Sequence, residues 1–181
     1  MKDFTPTKET ISLHGLGFIQ LKLEGNQRIH VWHPDLPRRN CYDWSAIHNH
    51  RFSFISTVLK GNLTNQRVDI ELVKDGSHNV LSHNGPRSVK GGRITYSIAD
   101  CNVWRKCKEV YSAGESYNIA EYEYHLTPND GIVITLMKKL TEGQYHASSI
   151  CVKGVEFDYD FNRFQLSPDV LYDYVLDAFK L

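Results

Sequence analysis

Stretches in which apolar and polar residues alternate cover most of the chain from Phe18 onwards. Successive side chains of a strand point to opposite faces, so this alternation predicts strands that each bury one face. β-branched and aromatic residues fill the stretches, and Gly, Asn, Asp and Pro separate them. The predicted strands cover residues 18–23, 28–32, 52–60, 63–73, 93–99, 117–126, 132–137 and 147–152. Many short strands of this kind predict an all-β sandwich, jelly roll or barrel.

Three further segments have a different pattern. A cap residue, a proline and a stop glycine predict a short N-terminal helix over residues 5–15. Near the end of the chain, Ser167 precedes apolar residues that recur at helical spacing over 167–179, which predicts an amphipathic C-terminal helix packed on the barrel. Residues 74–92 are polar and rich in glycine, and they predict a loop.

Length, charge and hydropathy indicate one soluble domain. The 181 residues suffice for a single core with a pocket, and 21 Lys and Arg balance 21 Asp and Glu, so the net charge is zero. A neutral chain has no bulk electrostatic attraction for nucleic acid or for an anionic membrane. The first residues, MKDFTPTKET, lack the apolar stretch of a signal peptide. We therefore predict a single cytoplasmic domain over residues 1–181, with no nucleic-acid or membrane partner.

The four cysteines are predicted to be reduced thiols. Cys41, Cys101, Cys107 and Cys151 are scattered along the chain, and none belongs to a CxxC pair. The spacing of Cys101 and Cys107 matches no established zinc motif and there is no second pair, which argues against a metal or redox role.

Histidines with the spacing of metal ligands are the main chemical signal in the chain. His48 and His50 lie two residues apart, so on an extended segment both imidazoles reach the same point. In the predicted strand 117–126, Glu121, Glu123 and His125 occupy alternate positions, so their side chains should point to the same face of the strand. Three nitrogen ligands with open coordination positions suit a catalytic divalent ion, with Fe²⁺ first and Mn²⁺, Ni²⁺ or Zn²⁺ as alternatives.

At these residues the chain resembles the cupin superfamily, and the resemblance covers about residues 44–139. Six positions match the two cupin motifs, namely His48, His50, Gly61, Gly114, His125 and Asn129. The resemblance implies a jelly-roll β-barrel with a metal site inside it. It also implies a homodimer, since such barrels often pair through sheet edges.

Three positions depart from the cupin motifs. Phe54 stands where the first motif has a metal-binding glutamate, and Ala120 and Tyr122 replace the usual proline and glycine of the second motif. Three outcomes are open: a three-histidine site like that of the thiol dioxygenase branch, a site completed by Glu121 or Glu123, or no metal at all. Phrases such as 131–137 also resemble uncharacterised cupin-like proteins of tailed phages, which would imply the host cytoplasm as the location.

Candidate substrate-binding residues surround the histidine motif in the sequence. Arg39, Arg51 and Arg67 are predicted to bind an anionic small molecule through bidentate contacts, with His30 as a further pocket residue. Pairing of such arginines with nearby acids is the alternative interpretation. Tyr122 is predicted to orient a ligand through its hydroxyl.

The leading functional hypothesis is a metal-dependent cupin enzyme that carries out a dioxygenase-like oxidation of a small molecule, with Glu121, Glu123 and Tyr122 as catalytic residues. One alternative is a non-catalytic cupin that binds a small anionic ligand, and another is a structural jelly roll of a phage particle. A two-histidine phosphoesterase is a further alternative, because the chain has two His-x-hydroxyl triplets, at 125–127 and 146–148. The chain lacks a Gly-rich phosphate loop, a GxSxG elbow and an HExxH helix, which argues against P-loop nucleotide hydrolases, serine hydrolases and zinc proteases.

Overall fold

Two antiparallel sheets make up most of the protein in a computed structural model that describes residues 5–180. In chain order the elements are β1 (Ile11–His14), β2 (Phe18–Lys22), β3 (Gln27–Trp32), α1 (Tyr42–Ser45), β4 (Phe52–Lys60), β5 (Asn62–Leu72), β6 (His78–Ser82), β7 (Tyr96–Ser112), β8 (Ser116–Ile119), β9 (Tyr124–Leu126), β10 (Val133–Glu142), β11 (Ser148–Val152) and α2 (Pro168–Lys180). The first sheet has the strand order β1-β2-β3-β10-β4-β8, and the second has the order β11-β6-β7-β5-β9. The predicted predominance of β-structure is confirmed.

Apolar faces of both sheets share the main core. Val58 and Met137 from the first sheet join Leu63 and Val68 from the second, and all four are buried. In β4, buried Phe54, Ser56 and Val58 alternate with less buried residues, as the alternating pattern predicts. No helix within residues 5–180 has the length and apolar character that a membrane crossing requires.

The C-terminal helix α2 covers the outer face of the first sheet. Its buried residues Leu171, Val175 and Ala178 lie on one side of the helix and join a second core with strands β1 to β3 and β10. The Ser167 hydroxyl accepts the backbone N–H of Val170 at 3.3 Å and caps the first turn. The predicted amphipathic helix is therefore confirmed.

The predicted N-terminal helix is wrong, because the segment contains a strand. Ile11 and Leu13 are fully buried at alternate positions, and β1 pairs with β2 along its whole length. A single turn, in which Ile11 donates to the carbonyl of Thr7 at 2.9 Å, precedes the strand. The predicted loop over 74–92 likewise contains a strand, β6, which pairs with β7 and β11. In both segments, pairing with a neighbouring strand outweighs the local helix or loop signals.

The chain crosses between the two sheets at glycines. Gly61 links β4 of the first sheet to β5 of the second, with φ of +78°, and a Cβ at this position would collide with the carbonyl oxygen of Ile132. Gly114 links β7 back to β8, with φ of +91°. Only glycine adopts such values without strain, so both positions that match the cupin motifs have a structural reason to be glycine.

A break at residues 120–123 divides the predicted strand 117–126 into two. Strand β8 belongs to the first sheet and β9 to the second, and the chain crosses between them through a turn in which Glu123 donates to the carbonyl of Ala120. Tyr122 takes a φ of +62° in this turn. The prediction that one continuous strand holds Glu121, Glu123 and His125 on the same face is therefore wrong.

Candidate metal centre

The three predicted histidine ligands meet at one point. One ring nitrogen of each of His48, His50 and His125 lies within 4.8 Å of the others. The ring centroids are 4.9 Å apart for His48 and His50, 4.7 Å for His48 and His125, and 5.3 Å for His50 and His125. The predicted convergence is confirmed, and the group is close enough to hold a metal ion.

Backbone pairing brings the HxH segment to β9. His48 donates to the carbonyl of His125 at 3.0 Å, and the N–H of His125 donates back to the carbonyl of His48 at 2.9 Å. Asn49 points away from the two histidines and is buried, where its Oδ1 accepts the backbone N–H of Ser148 at 2.7 Å. Alternation along this extended segment therefore turns His48 and His50 toward His125 and anchors the intervening Asn49 in the protein.

Hydrogen bonds on the far side of two imidazoles orient the site. The Nδ1 of His48 lies 2.9 Å from the carbonyl of Ala46, and the Nδ1 of His125 lies 2.9 Å from Oδ1 of Asn65. Asn65 donates its amide N–H to Glu109 at 3.1 Å, which fixes its oxygen toward His125. Both rings must then carry their proton on Nδ1, which leaves the Nε2 lone pairs free for a ligand.

Among residues 5–180, the Nε2 atom of His125 finds no hydrogen-bond partner, although His125 is only 3% exposed. A buried polar atom left without a partner costs about 1–3 kcal/mol, so such atoms usually have an ion, a water or a ligand beside them. His125 belongs to the group of three histidines described above. The unpartnered nitrogen fits a metal ligand better than a structural histidine.

Burial keeps all three imidazoles neutral. It lowers the pKa of His48 to about 4 and holds the pKa values of His50 and His125 well below the usual value, and the neighbouring histidines lower the latter two further. An unprotonated imidazole offers its lone pair to a cation at neutral pH. The electrostatics of the site therefore suit metal binding.

Phe54 forms an apolar wall beside the group. Its ring centroid lies 5.2 Å from that of His50 and 6.2 Å from that of His125, and the side chain is buried. The residue at the position of the cupin glutamate thus does face the histidines, but it offers them a hydrocarbon surface instead of a carboxylate.

The predicted catalytic residues Glu121, Glu123 and Tyr122 lie outside this group. Glu121 accepts a hydrogen bond from Thr141, and the Tyr122 hydroxyl accepts the backbone N–H of Tyr145 at 2.8 Å. Glu123 forms an ion pair with Arg67 and accepts the backbone N–H of Ala120 at 3.0 Å. The break between β8 and β9 turns these side chains toward other partners and away from the histidine group.

Two cavities, with volumes of about 240 and about 660 Å³, are lined by His48 and His50, whereas His125 lines neither of them. His14 and His83 line both cavities, and His146 lines the larger one. His83 lies 2.8 Å from the Ser149 hydroxyl through its Nε2, and burial lowers its pKa to about 4. Neither His14 nor His83 belongs to a sequence motif, so their place beside the cavities could not be predicted from residue spacing.

Two of the predicted substrate-binding residues are held inside the protein next to the cavities. Arg39 lines the smaller cavity, donates to the backbone carbonyl of Ser45 and stacks on Phe157 at 4.5 Å. His30 lines the larger cavity and lies 3.4 Å from the side-chain nitrogen of Gln20. Both positions are compatible with contact to a ligand.

The other two predicted residues are engaged in ion pairs. Arg51 lines the larger cavity, but its guanidinium is paired with Glu142. Arg67 is not among the residues that line either cavity, and it pairs with Glu109 at 3.0 Å and with Glu123. Arg67 therefore supports the Asn65–Glu109 network behind His125 instead of facing the cavities.

No protein-family model and no curated protein matches the chain.

Proposed function

We propose that this protein is a metal-dependent enzyme in which His48, His50 and His125 hold one divalent first-row ion and the adjoining cavities bind a small-molecule substrate. The observation that carries the proposal is the buried, unpartnered Nε2 of His125 beside two other neutral imidazoles. Structural histidines in a core are normally hydrogen-bonded at both nitrogens, whereas a metal ligand keeps one lone pair for the ion.

The donor set favours iron, with nickel and zinc as alternatives. Neutral imidazole nitrogens suit these ions, whereas manganese prefers the carboxylate oxygens that Phe54 replaces. When bound, the ion would supply Lewis-acid or redox chemistry at positions that the three histidines leave open. The reaction we propose is an oxidation of the substrate by O₂, in which both oxygen atoms enter the product.

The protein's own residues would bind, orient and shield the substrate. Phe52 and Phe54 line the larger cavity beside His50 and exclude water from one side of the site. His83 lines both cavities and is unprotonated at neutral pH, so its neutral ring can hydrogen-bond a bound substrate. We also propose that the two sheets form a cupin-type jelly roll, which the histidine placement and the glycines at the sheet crossings support.

Elemental analysis of protein purified without a His-tag tests the proposal. We expect close to one metal ion per chain in the unmodified protein, and loss of that ion in the double variant His48→Ala, His50→Ala. His78→Ala is the matched control, because His78 lies in β6 and is not part of the group. The proposal fails if the unmodified protein holds no metal and added Fe²⁺, Mn²⁺, Ni²⁺ or Zn²⁺ leaves its melting temperature unchanged.

A further inference from the structure

The larger cavity carries a strong local positive charge, although the whole chain is neutral. Among residues 5–180, Glu142 is the single carboxylate that lines it. Eight cationic residues face that one acid, namely Lys8, Lys22, Arg28, Arg51, Arg87, Arg93, Lys139 and Arg163. Folding therefore gathers cations from distant segments around one space beside the histidines.

Three of these arginines, Arg87, Arg93 and Arg163, have no acidic partner among residues 5–180, whereas Arg28 is attracted by Glu142 without forming an ion pair with it. The negative charge of Glu142 is already shared between two ion pairs, with Arg51 and with Lys139. Within the part of the chain that the structure describes, no ion pair involves Arg87, Arg93 or Arg163. Such arginines in a cavity normally find a carboxylate, so their unpaired state suggests that the partner is a ligand.

Backbone contacts hold the three guanidinium groups in place without neutralising them. Arg163 donates its Nε–H to the carbonyl of Leu13 at 3.0 Å and an Nη–H to the hydroxyl of Ser12 at 3.2 Å. Arg87 and Arg93 each donate one N–H to a carbonyl of the loop between β6 and β7, at 3.0 and 2.8 Å. Each guanidinium has five N–H donors, so every one of the three keeps donors for a ligand.

The cations also lie close enough to repel one another. Burial, together with the charges of Arg87 and Arg28, lowers the pKa of Arg163 to about 10. Burial and the neighbouring Arg93 lower the pKa of Arg87. A bound anion would remove this repulsion and satisfy the free donors at the same time.

We propose that the larger cavity binds a small molecule with at least two anionic groups, phosphate or carboxylate, which Arg87, Arg93 and Arg163 hold beside the histidine group. A volume of about 660 Å³ is in the range of small-ligand sites, and three unpaired guanidinium groups exceed what one carboxylate needs. That this anion is the substrate rests on the proposed function, whereas the binding itself does not require a metal.

Titration calorimetry with inorganic phosphate and with succinate, at constant ionic strength, tests the binding site. We expect saturable binding of at least one probe, and an affinity at least about tenfold lower in Arg87→Gln, because a hydrogen bond to a charged group is lost. Arg87 is exposed, so this change leaves the core intact. Arg105→Gln is the control, because Arg105 lies on β7 and donates to Gln66. Arg163→Lys is a second variant that keeps the charge, and we expect it to bind more weakly because the forked contact is lost.

The two proposals fail in different ways. Binding of a probe by the His48→Ala, His50→Ala variant, together with no metal in the unmodified protein, would keep the anion site and overturn the metal site. Equal affinities in the unmodified protein, Arg87→Gln, Arg163→Lys and Arg105→Gln would overturn the anion site, as would the absence of saturable binding of both probes. A far-UV circular dichroism spectrum of each variant verifies that it is folded.

Discussion

Replacing Asn65 by leucine should separate the role of the network behind His125 from ordinary core packing. Asn65 is fully buried, and its side chain joins His125 Nδ1 at 2.9 Å to Glu109 at 3.1 Å. Leucine has a similar size but can accept no hydrogen bond from the ring. The buried Nδ1–H would then lose its partner, at a cost of about 1–3 kcal/mol. Glu109 keeps its ion pair with Arg67, so little further loss is expected on that side.

Metal affinity should fall together with stability. Without Asn65 the ring of His125 is no longer held in the tautomer that presents Nε2, and loss of such a contact typically weakens metal binding about 10–100-fold. For a domain of this size, a loss of about 2 kcal/mol lowers the melting temperature by about 4–8 °C. Calorimetric titration with the metal found in the purified protein measures the affinity, and thermal unfolding of chelator-treated protein measures the stability.

Asn129→Leu provides the matched control. Asn129 is also buried, but its side chain accepts the backbone N–H of Thr64 at 2.9 Å and donates to the carbonyl of Thr127, with no contact to a ring of the group. This change should destabilise the protein by a comparable amount and leave metal affinity unchanged. If Asn65→Leu and Asn129→Leu lowered the affinity equally, or if Asn65→Leu left it unaltered, the orienting role of Asn65 would be refuted.

Three further predictions concern the surroundings of the site and the core. Burial lowers the pKa values of His30 and His83 to about 3 and about 4, so below about pH 6.5 the unfolded chain binds protons that the folded protein excludes. The free energy of unfolding of the metal-free protein should therefore decrease toward pH 4, by up to about 1.4 kcal/mol per pH unit for each histidine. Urea titrations at several pH values measure this free energy, and a value that does not change with pH would contradict the burial of the two rings. Phe54→Glu should cost about 3 kcal/mol in the metal-free protein yet tighten metal binding, because a buried carboxylate lacks a partner until the ion arrives; unchanged or weaker affinity would contradict the placement of Phe54. Leu171→Ala should cost about 2–5 kcal/mol, since this fully buried side chain anchors α2, and a loss below about 1 kcal/mol in thermal unfolding would show that the helix packs loosely.

The strands and the HxH pair could be predicted because the relevant information is local. Residue parity determines the face of a strand, so the alternation around Val58 and the spacing of His48 and His50 predict which side chains share a side. The same reasoning failed at Glu121 and Glu123. Parity holds only while the strand is continuous, and the turn at Tyr122 interrupts it. The turn at Tyr122 therefore directs Glu121 and Glu123 away from His125, although all three occupy alternate positions in the sequence.

The N-terminal segment illustrates a second limit of local reasoning. A cap, a proline and a glycine are genuine helix signals over residues 5–15, but Ile11 and Leu13 gain more from pairing with β2 and packing against α2. Hydrogen bonds to a neighbouring strand and burial of two large side chains depend on elements far along the chain. They outweigh a helix preference of a few tenths of a kcal/mol per residue.

From the sequence alone one could determine the predominance of strands, the C-terminal helix and the histidines able to act as ligands, because each depends on residue type and spacing within one segment. Only the tertiary structure decided which polar side chains face those histidines. Arg87 and Arg93 come from one loop and Arg163 from another, and nothing in their spacing relates them. Electrostatic interaction depends on distance in space, and a chain with zero net charge can therefore enclose a strongly basic cavity.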